Sequence, residues 1–202
     1  GDFPEVENHI PNPEVPSALR QAWALAEELD ADLALATDPD AERLGGVAKR
    51  TGQGRSEWLP MNGNQIGSVL CCFVLEELQR QNRLPPDGLV VKTAVTTDLI
   101  PRIADHFGVG CVSELLVGFK YIGCVIRHLN RPGRFLFGME ESHGYLSGSY
   151  ARDKDGANAA LLLAEAAARG KEEGRDLWGV LDRVYRRFGY FSERPENYVR
   201  PG

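Results

Sequence analysis

Apolar positions recur along this chain with two different periods, and the switches between them lay out its elements. Leu19, Ala22, Trp23 and Ala26 keep helical spacing, and Ser17 stands just before them where an N-cap is expected. Asp32 to Ala36 is a short continuous apolar run, which predicts a strand covered on both faces. A hairpin is expected around "TGQGR". From "MNGNQIGSVL" a helix runs to about Arg83, carried by Ile66, Val69, Leu70, Phe73, Val74 and Leu78. "LVVKTAVTT" is the next strand, and Asp98 then caps a short helix that tolerates Pro101 in its first turn. "CVSELLV" predicts another strand. Phe119 to Leu129 predicts a helix with Ile122, Val125, Ile126 and Leu129 on one face. "RPG" turns into the strand "RFLFG", which opens onto a polar stretch, "MEESHGYLSGSYARDKDG". Two helices close the pattern, over Ala157 to Ala168 and Asp176 to Phe188. The opening "GDFPEVENHIPNPEVP" is rich in proline and reads as extended.

Strands that alternate with helices predict an α/β architecture, with mixed or mainly parallel sheets flanked by helices. A boundary is expected near Pro60, with a second βα set beginning at Asn62. The formal net charge of −6 leaves no global basic field, so neither nucleic acid nor an anionic membrane is an expected partner. No apolar stretch reaches the roughly 20 residues that span a bilayer. No secretory apolar core is found in the first residues, so a cytoplasmic setting is expected. Cys71, Cys72, Cys111 and Cys124 form no CxxC pair and read as free thiols of a reducing compartment. His9, His106, His128 and His143 lack ligand spacing, which argues against zinc.

In open α/β sheets, ligands gather where strands end, and three polar clusters fall at such points. The first is Asp38, Asp40 and Glu42, at alternate positions with Arg43 behind them. Like charges this close repel, so a positive group among them is expected. A hard divalent cation, Mg²⁺ above all, is one reading; a solvated acidic loop is the other. An EF-hand fails, because its sixth and twelfth positions would be Arg43 and Lys49. The second cluster is "VGFK", Val117 to Lys120, whose amides start a helix and could face an anion. The third is "MEESHGY" with "RDKDG" beyond it. The first of these stretches is either a grip on sugar hydroxyls or a plain polar connector. Lys154, between Asp153 and Asp155, is either a tuned acid/base group or part of a surface charge cluster. "DPDAE" after a strand also resembles the nucleophile loop of haloacid-dehalogenase-type phosphatases, but Glu42 is wrong for that pattern.

Six stretches, "TDPDAERLG", "NGNQIG", "KTAVTTDL", "GFKYIG", "GMEESHGYL" and "RDKDG", stand in the order seen in the α-D-phosphohexomutases. From "PNPE" to the last helix the chain resembles the middle of a phosphoglucomutase/phosphomannomutase. The resemblance implies a protein that moves a phosphoryl group between the 1- and 6-hydroxyls of a hexose, glucose favoured over mannose. It implies a phosphoserine on the enzyme and a hexose 1,6-bisphosphate as intermediate and activator. Asp38, Asp40 and Glu42 match the family's Mg²⁺ loop, with Arg43 beside it. Glu140 and Ser142 match the sugar-binding loop, and Gly118 and Lys120 another substrate-contacting turn. Lys154 matches the lysine given the acid/base role, and His143 stands where many relatives carry an aromatic residue.

The resemblance also divides the chain. Residues 1–60 match the end of the metal-binding domain, 61–170 the sugar-binding domain, and 171–202 a terminal helix and linker toward a C-terminal domain. No serine lies in a "TASHNP"-like setting, so the phosphoserine is expected in other domains of the same polypeptide, and the piece alone is expected to be inactive. A non-catalytic sugar-phosphate-binding or structural homologue is the alternative. Two departures, Glu42 for a third Asp and Val117 for Thr, favour that alternative.

Overall fold

Two sheets of different character meet at one backbone bridge, Arg43 to Gly144. The computed structural model that shows them describes residues 2–6, 9–52 and 54–193. The first sheet is an antiparallel meander of β1 (Leu33–Thr37), β2 (Leu44–Gly52) and β3 (Arg55–Met61). β2 and β3 are the predicted hairpin around "TGQGR". The second sheet has the order β5-β4-β6-β7, from β4 (Leu89–Thr93), β5 (Gly110–Leu115), β6 (Phe135–Glu140) and β7 (Gly144–Ser147). β4 runs parallel to both β5 and β6, while β7 returns antiparallel to β6. With flanking helices, this is the expected α/β fold with mixed sheets.

Six α-helices flank these sheets among the described residues: α1 (Arg20–Glu28), α2 (Gly63–Arg80), α3 (Leu99–His106), α4 (Phe119–His128), α5 (Gly156–Glu172) and α6 (Leu177–Phe188). α2 starts where it does because Asn62 and Gln65 form a reciprocal capping box, each accepting from the other's amide at 2.9 Å. Its apolar face joins Phe137 and Met139 of β6, Leu163 of α5, Val184 of α6 and Leu44 of β2 in one core. α4 covers the opposite face of the second sheet, with Ile122 packed among Val91, Phe135 and Leu146. Every residue of β6 is therefore buried, which accounts for its apolar sequence up to Glu140. α6 is part of this body: Trp178 Nε1 donates to the Ala48 carbonyl at 3.2 Å, and Asp176 accepts from the amide and hydroxyl of Thr51.

Four local expectations need correction. Ser17 caps nothing; Pro16 starts a 3₁₀ turn over Pro16–Leu19, and α1 follows with Leu19 at its N-cap. β1 is less buried than its sequence predicts: it is an edge strand paired only to β2, with Ala34 buried on one face and Leu33 and Leu35 half-buried against the core on the other. Asp98 sits at the α3 N-cap without capping it; its carboxylate turns to Lys92 at 3.1 Å, and Thr97 Oγ1 accepts from the Leu99 amide instead. The polar stretch after "RFLFG" holds a strand, β7, that periodicity did not show.

Candidate functional site

β1 ends in a tight turn whose first carboxylate is fully engaged. Asp38 is 5% exposed, and its oxygens accept from the Arg43 amide at 2.9 Å and the Arg43 Nε at 2.7 Å. Burial pushes the Asp38 carboxyl up, but the hydrogen bonds and charge of Arg43 outweigh it and leave the group below its ordinary value. The same guanidinium donates to Asn12 at 3.2 Å and to Glu14 at 2.8 Å, so the "PNPE" segment lies over the acidic turn. That segment is not extended as its prolines predict but bends in a turn closed by the Val15 amide on the Asn12 carbonyl at 3.0 Å. Asp40 is exposed at the tip, and Glu42 pairs with Lys154 at 2.7 Å. The positive charge required among these acids is thus supplied by Arg43 and Lys154.

β6 ends in a second turn, held by hydrogen bonds among buried groups. Glu140 is 4% exposed, and its Oε1 accepts from the Gly118 amide at 2.7 Å. Burial raises the Glu140 carboxyl above its ordinary value, and that amide together with the Lys154 charge only partly opposes the rise. Glu141 accepts from the hydroxyls of Thr93 at 3.1 Å and Thr96 at 3.3 Å, which fixes the turn to the end of β4. A Cβ on Gly63 would stand 1.9 Å from the Glu141 carbonyl oxygen, so α2 abuts the turn as only glycine allows. His143 has φ of 64°; its carbonyl accepts from the Leu44 amide at 3.0 Å, and its Nδ1 contacts the Leu44 carbonyl at 2.9 Å.

The loop before α5 joins both turns. The Gly156 amide donates to the Ala41 carbonyl at 2.8 Å, and the Asp155 amide donates to the Tyr145 carbonyl at 2.8 Å. Asp155 caps α5 by accepting from the Asn158 amide. Lys154, between these anchors, lays its stem across Gly144, where a Cβ would come within 2.6 Å of the lysine Cδ. Burial pulls the Lys154 amine down, yet its contacts with Glu42 and Asp153 prevail and hold it above its ordinary value, as an ammonium.

Asp38, Asp40, Glu42, Arg43, Glu140, Ser142 and Lys154 therefore line one cleft, of about 550 Å³. Three residues singled out from the sequence do not line it. Gly118 reaches it indirectly, through Glu140. Lys120 is exposed beside the Tyr121 ring, 5.1 Å from its centroid. His143 is 5% exposed, with its ring turned to Leu44. A larger hollow of about 790 Å³, beside Arg50, Asp176, Trp178 and Tyr185, holds none of the predicted residues. Residues that sequence reasoning passed over are Thr93, Thr96, Gly63 and Gly144. The hydroxyl-rich "TAVTT" at a strand end was the available signal for the first two.

The donor chemistry of the acidic turn suits a hard cation, since carboxylates on alternate residues of one turn face one cleft. Their present geometry is not a coordination sphere, because Arg43 and Lys154 hold two of the three. Among the described residues no three acidic, histidine or cysteine side chains converge closely enough to ligate a metal.

The family model described as "Phosphoglucomutase/phosphomannomutase, alpha/beta/alpha domain III" matches residues 62–188. The chain belongs to the phosphoglucomutase/phosphomannomutase family. The family's domain II model matches residues 1–52. A phosphoglucomutase of Staphylococcus epidermidis is 37% identical over 183 residues, covering 91% of this chain and 32% of its own length. A protein named probable phosphoribomutase from Schizosaccharomyces pombe is 32% identical over 199 residues, covering 98% of this chain and 33% of its own. Among solved structures, a provisionally named phosphomannomutase from Thermus thermophilus superposes with a TM-score of 0.66. It is 27% identical, with coverage of 90% of this chain and 37% of that one. The chain thus spans about a third of the length of the curated relatives it matches. No helix among the described residues is long and apolar enough to cross a membrane.

Proposed function

We propose that the cleft is the metal- and sugar-facing part of a phosphosugar mutase, which transfers phosphate between the 1- and 6-positions of a hexose. The observation that carries this reading is the meeting of the two strand-end turns with Lys154 around one cavity. Family membership supports it, and the phosphoryl donor, a phosphoserine, is expected from polypeptide outside these 202 residues. Asp38, Asp40 and Glu42 would hold Mg²⁺, with Glu42 exchanging its ammonium partner for the metal. Bound there, Mg²⁺ supplies charge neutralisation for phosphoryl transfer, whose demands are mostly positioning and electrostatics.

The chain's own groups account for the rest. Glu140 and Ser142 offer an acceptor and a hydroxyl to the sugar, with Glu140 aimed by the Gly118 amide. Lys154 Nζ carries the proton that moves. As an ammonium it can protonate a leaving oxygen, and once neutral it can take the proton of an attacking hydroxyl. Gly118 would act on the sugar only through Glu140, and Lys120, outside the cleft, has no part in this grip. The full-length protein is expected to interconvert glucose 1-phosphate and glucose 6-phosphate with Mg²⁺ and a hexose 1,6-bisphosphate activator. Lys154→Ala and Glu140→Ala should each lower kcat about 100-fold or more. Full activity in both variants would overturn the reading. Mg²⁺ and sugar-phosphate binding without turnover would establish a non-catalytic homologue.

A pentose phosphate is the second reading, favoured by the near-complete coverage of this chain by the relative named probable phosphoribomutase. Comparing kcat/KM for glucose, mannose and ribose 1-phosphates decides between them.

A further inference from the structure

The two turns that form the cleft come from different sheets, and His143 ties them by both main chain and side chain. Its carbonyl accepts from the Leu44 amide at 3.0 Å and its ring Nδ1 lies 2.9 Å from the Leu44 carbonyl. A carbonyl oxygen can only accept, so Nδ1 must carry the hydrogen. Leu44 is the first residue of β2, directly behind Arg43, and Gly144 forms the backbone bridge to Arg43. His143 thus clasps the exit of the acidic turn with side chain and main chain together. The ring is buried and cannot reach the cleft, and the backbone adopts the left-handed conformation that non-glycine residues seldom hold. Such strain persists where surrounding contacts enforce it, and here they do.

We propose that His143 is a positioning residue: its Nδ1–H bond to Leu44 sets the separation between the acidic turn and the Glu140–Ser142 turn. The role rests on the mutase reading of the cleft. Reaction rates are steep in such a separation, since a misplacement of about 1 Å can cost on the order of 100-fold.

Two substitutions test this in the full-length protein. His143→Phe keeps ring volume and removes the donor. His143→Asn keeps a donor, because the Asn Nδ2 occupies the place of Nδ1, and Asn tolerates the left-handed backbone. We expect His143→Phe to lower kcat by about 10- to 100-fold with KM for sugar phosphate changed less than about threefold, and His143→Asn to restore most of kcat. Hydrogen–deuterium exchange over 38–46 and 140–146 should rise together in His143→Phe and return toward wild type in His143→Asn. Unchanged kcat and exchange in folded His143→Phe would overturn the proposal. So would loss of activity in His143→Asn with exchange still protected, which would make the ring itself an acid or base. If the wild-type protein lacks mutase turnover, the mutase reading fails, and the exchange data still decide whether the clasp exists.

Discussion

In the acidic turn, Asp38 gives both oxygens to Arg43, Asp40 stands in solvent and Glu42 leans on Lys154. In the glutamate turn, Glu140 accepts from a backbone amide, Glu141 from two threonine hydroxyls, and His143 is tied to Leu44. The first is secured mainly by charge, with Asp40 exposed and Glu42 half-buried, and the second by hydrogen bonds to neutral groups that are mostly buried. Charge pairs exchange partners readily, whereas buried hydrogen-bonded groups pay a full desolvation penalty when unpaired. The difference also sets opposite proton affinities. Asp38 is held below the usual carboxylate range, and Glu140 above it. The lesson is that one wall of the cleft can change its ion partners while the other keeps its shape.

The sharpest way to break this contrast is Gly63→Ala. The added carbon would meet the Glu141 carbonyl at 1.9 Å, and a backbone neighbour has no rotamer with which to yield. We expect a loss of about 3 kcal/mol or more in urea unfolding, with the glutamate turn displaced. Next in size is a pH effect at His143. Burial, aided by the Arg43 charge and opposed by the Leu44 bond and Glu14, lowers its folded pKa below 6.5. Between 6.5 and the folded value only the unfolded chain takes up the proton, so stability falls as pH drops through that window. For one proton the slope is bounded at about 1.4 kcal/mol per pH unit, and this contribution should be absent in His143→Asn. The smallest effect on stability is expected for Glu42→Gln. Its pair with Lys154 is partly exposed, so melts should shift by less than about 1 kcal/mol. On the proposed mutase reading, Mg²⁺ affinity of the full-length protein, measured by titration, should nonetheless weaken by roughly 10-fold, because a charged oxygen donor would be replaced by an amide.

Much of this arrangement was legible in the sequence, and for identifiable reasons. α4 carries an apolar stripe of strong periodicity, and α2 a long apolar run that is buried on every side over 66–75, so both helices were plain from the sequence. The acidic turn, the Glu-Ser turn and the "RDKDG" lysine were recognisable as separate motifs, and the cleft unites them. What escaped notice depends on partners distant in the chain. β7 is four residues long and exists because β6 offers an edge to pair with. Asp98 has every local mark of a cap, yet the buried amine of Lys92 needs its charge more than α3 needs a hydrogen bond. The part played by Thr93 and Thr96 shows only when Glu141, some 45 residues later, folds back onto them. His143 looked like a group for the sugar, since nothing nearby in sequence announces that Leu44, 99 residues away, claims its ring.

Gly144 carries a consequence beyond its own strand. Lys154 lies flat against the second sheet because that residue shows the lysine a hydrogen atom and no carbon. A methyl group there would lift the amine off the floor of the cleft while barely disturbing the fold, since the lysine stem can bend aside. The smallness of that single residue therefore decides whether the amine of Lys154 can rest in this berth.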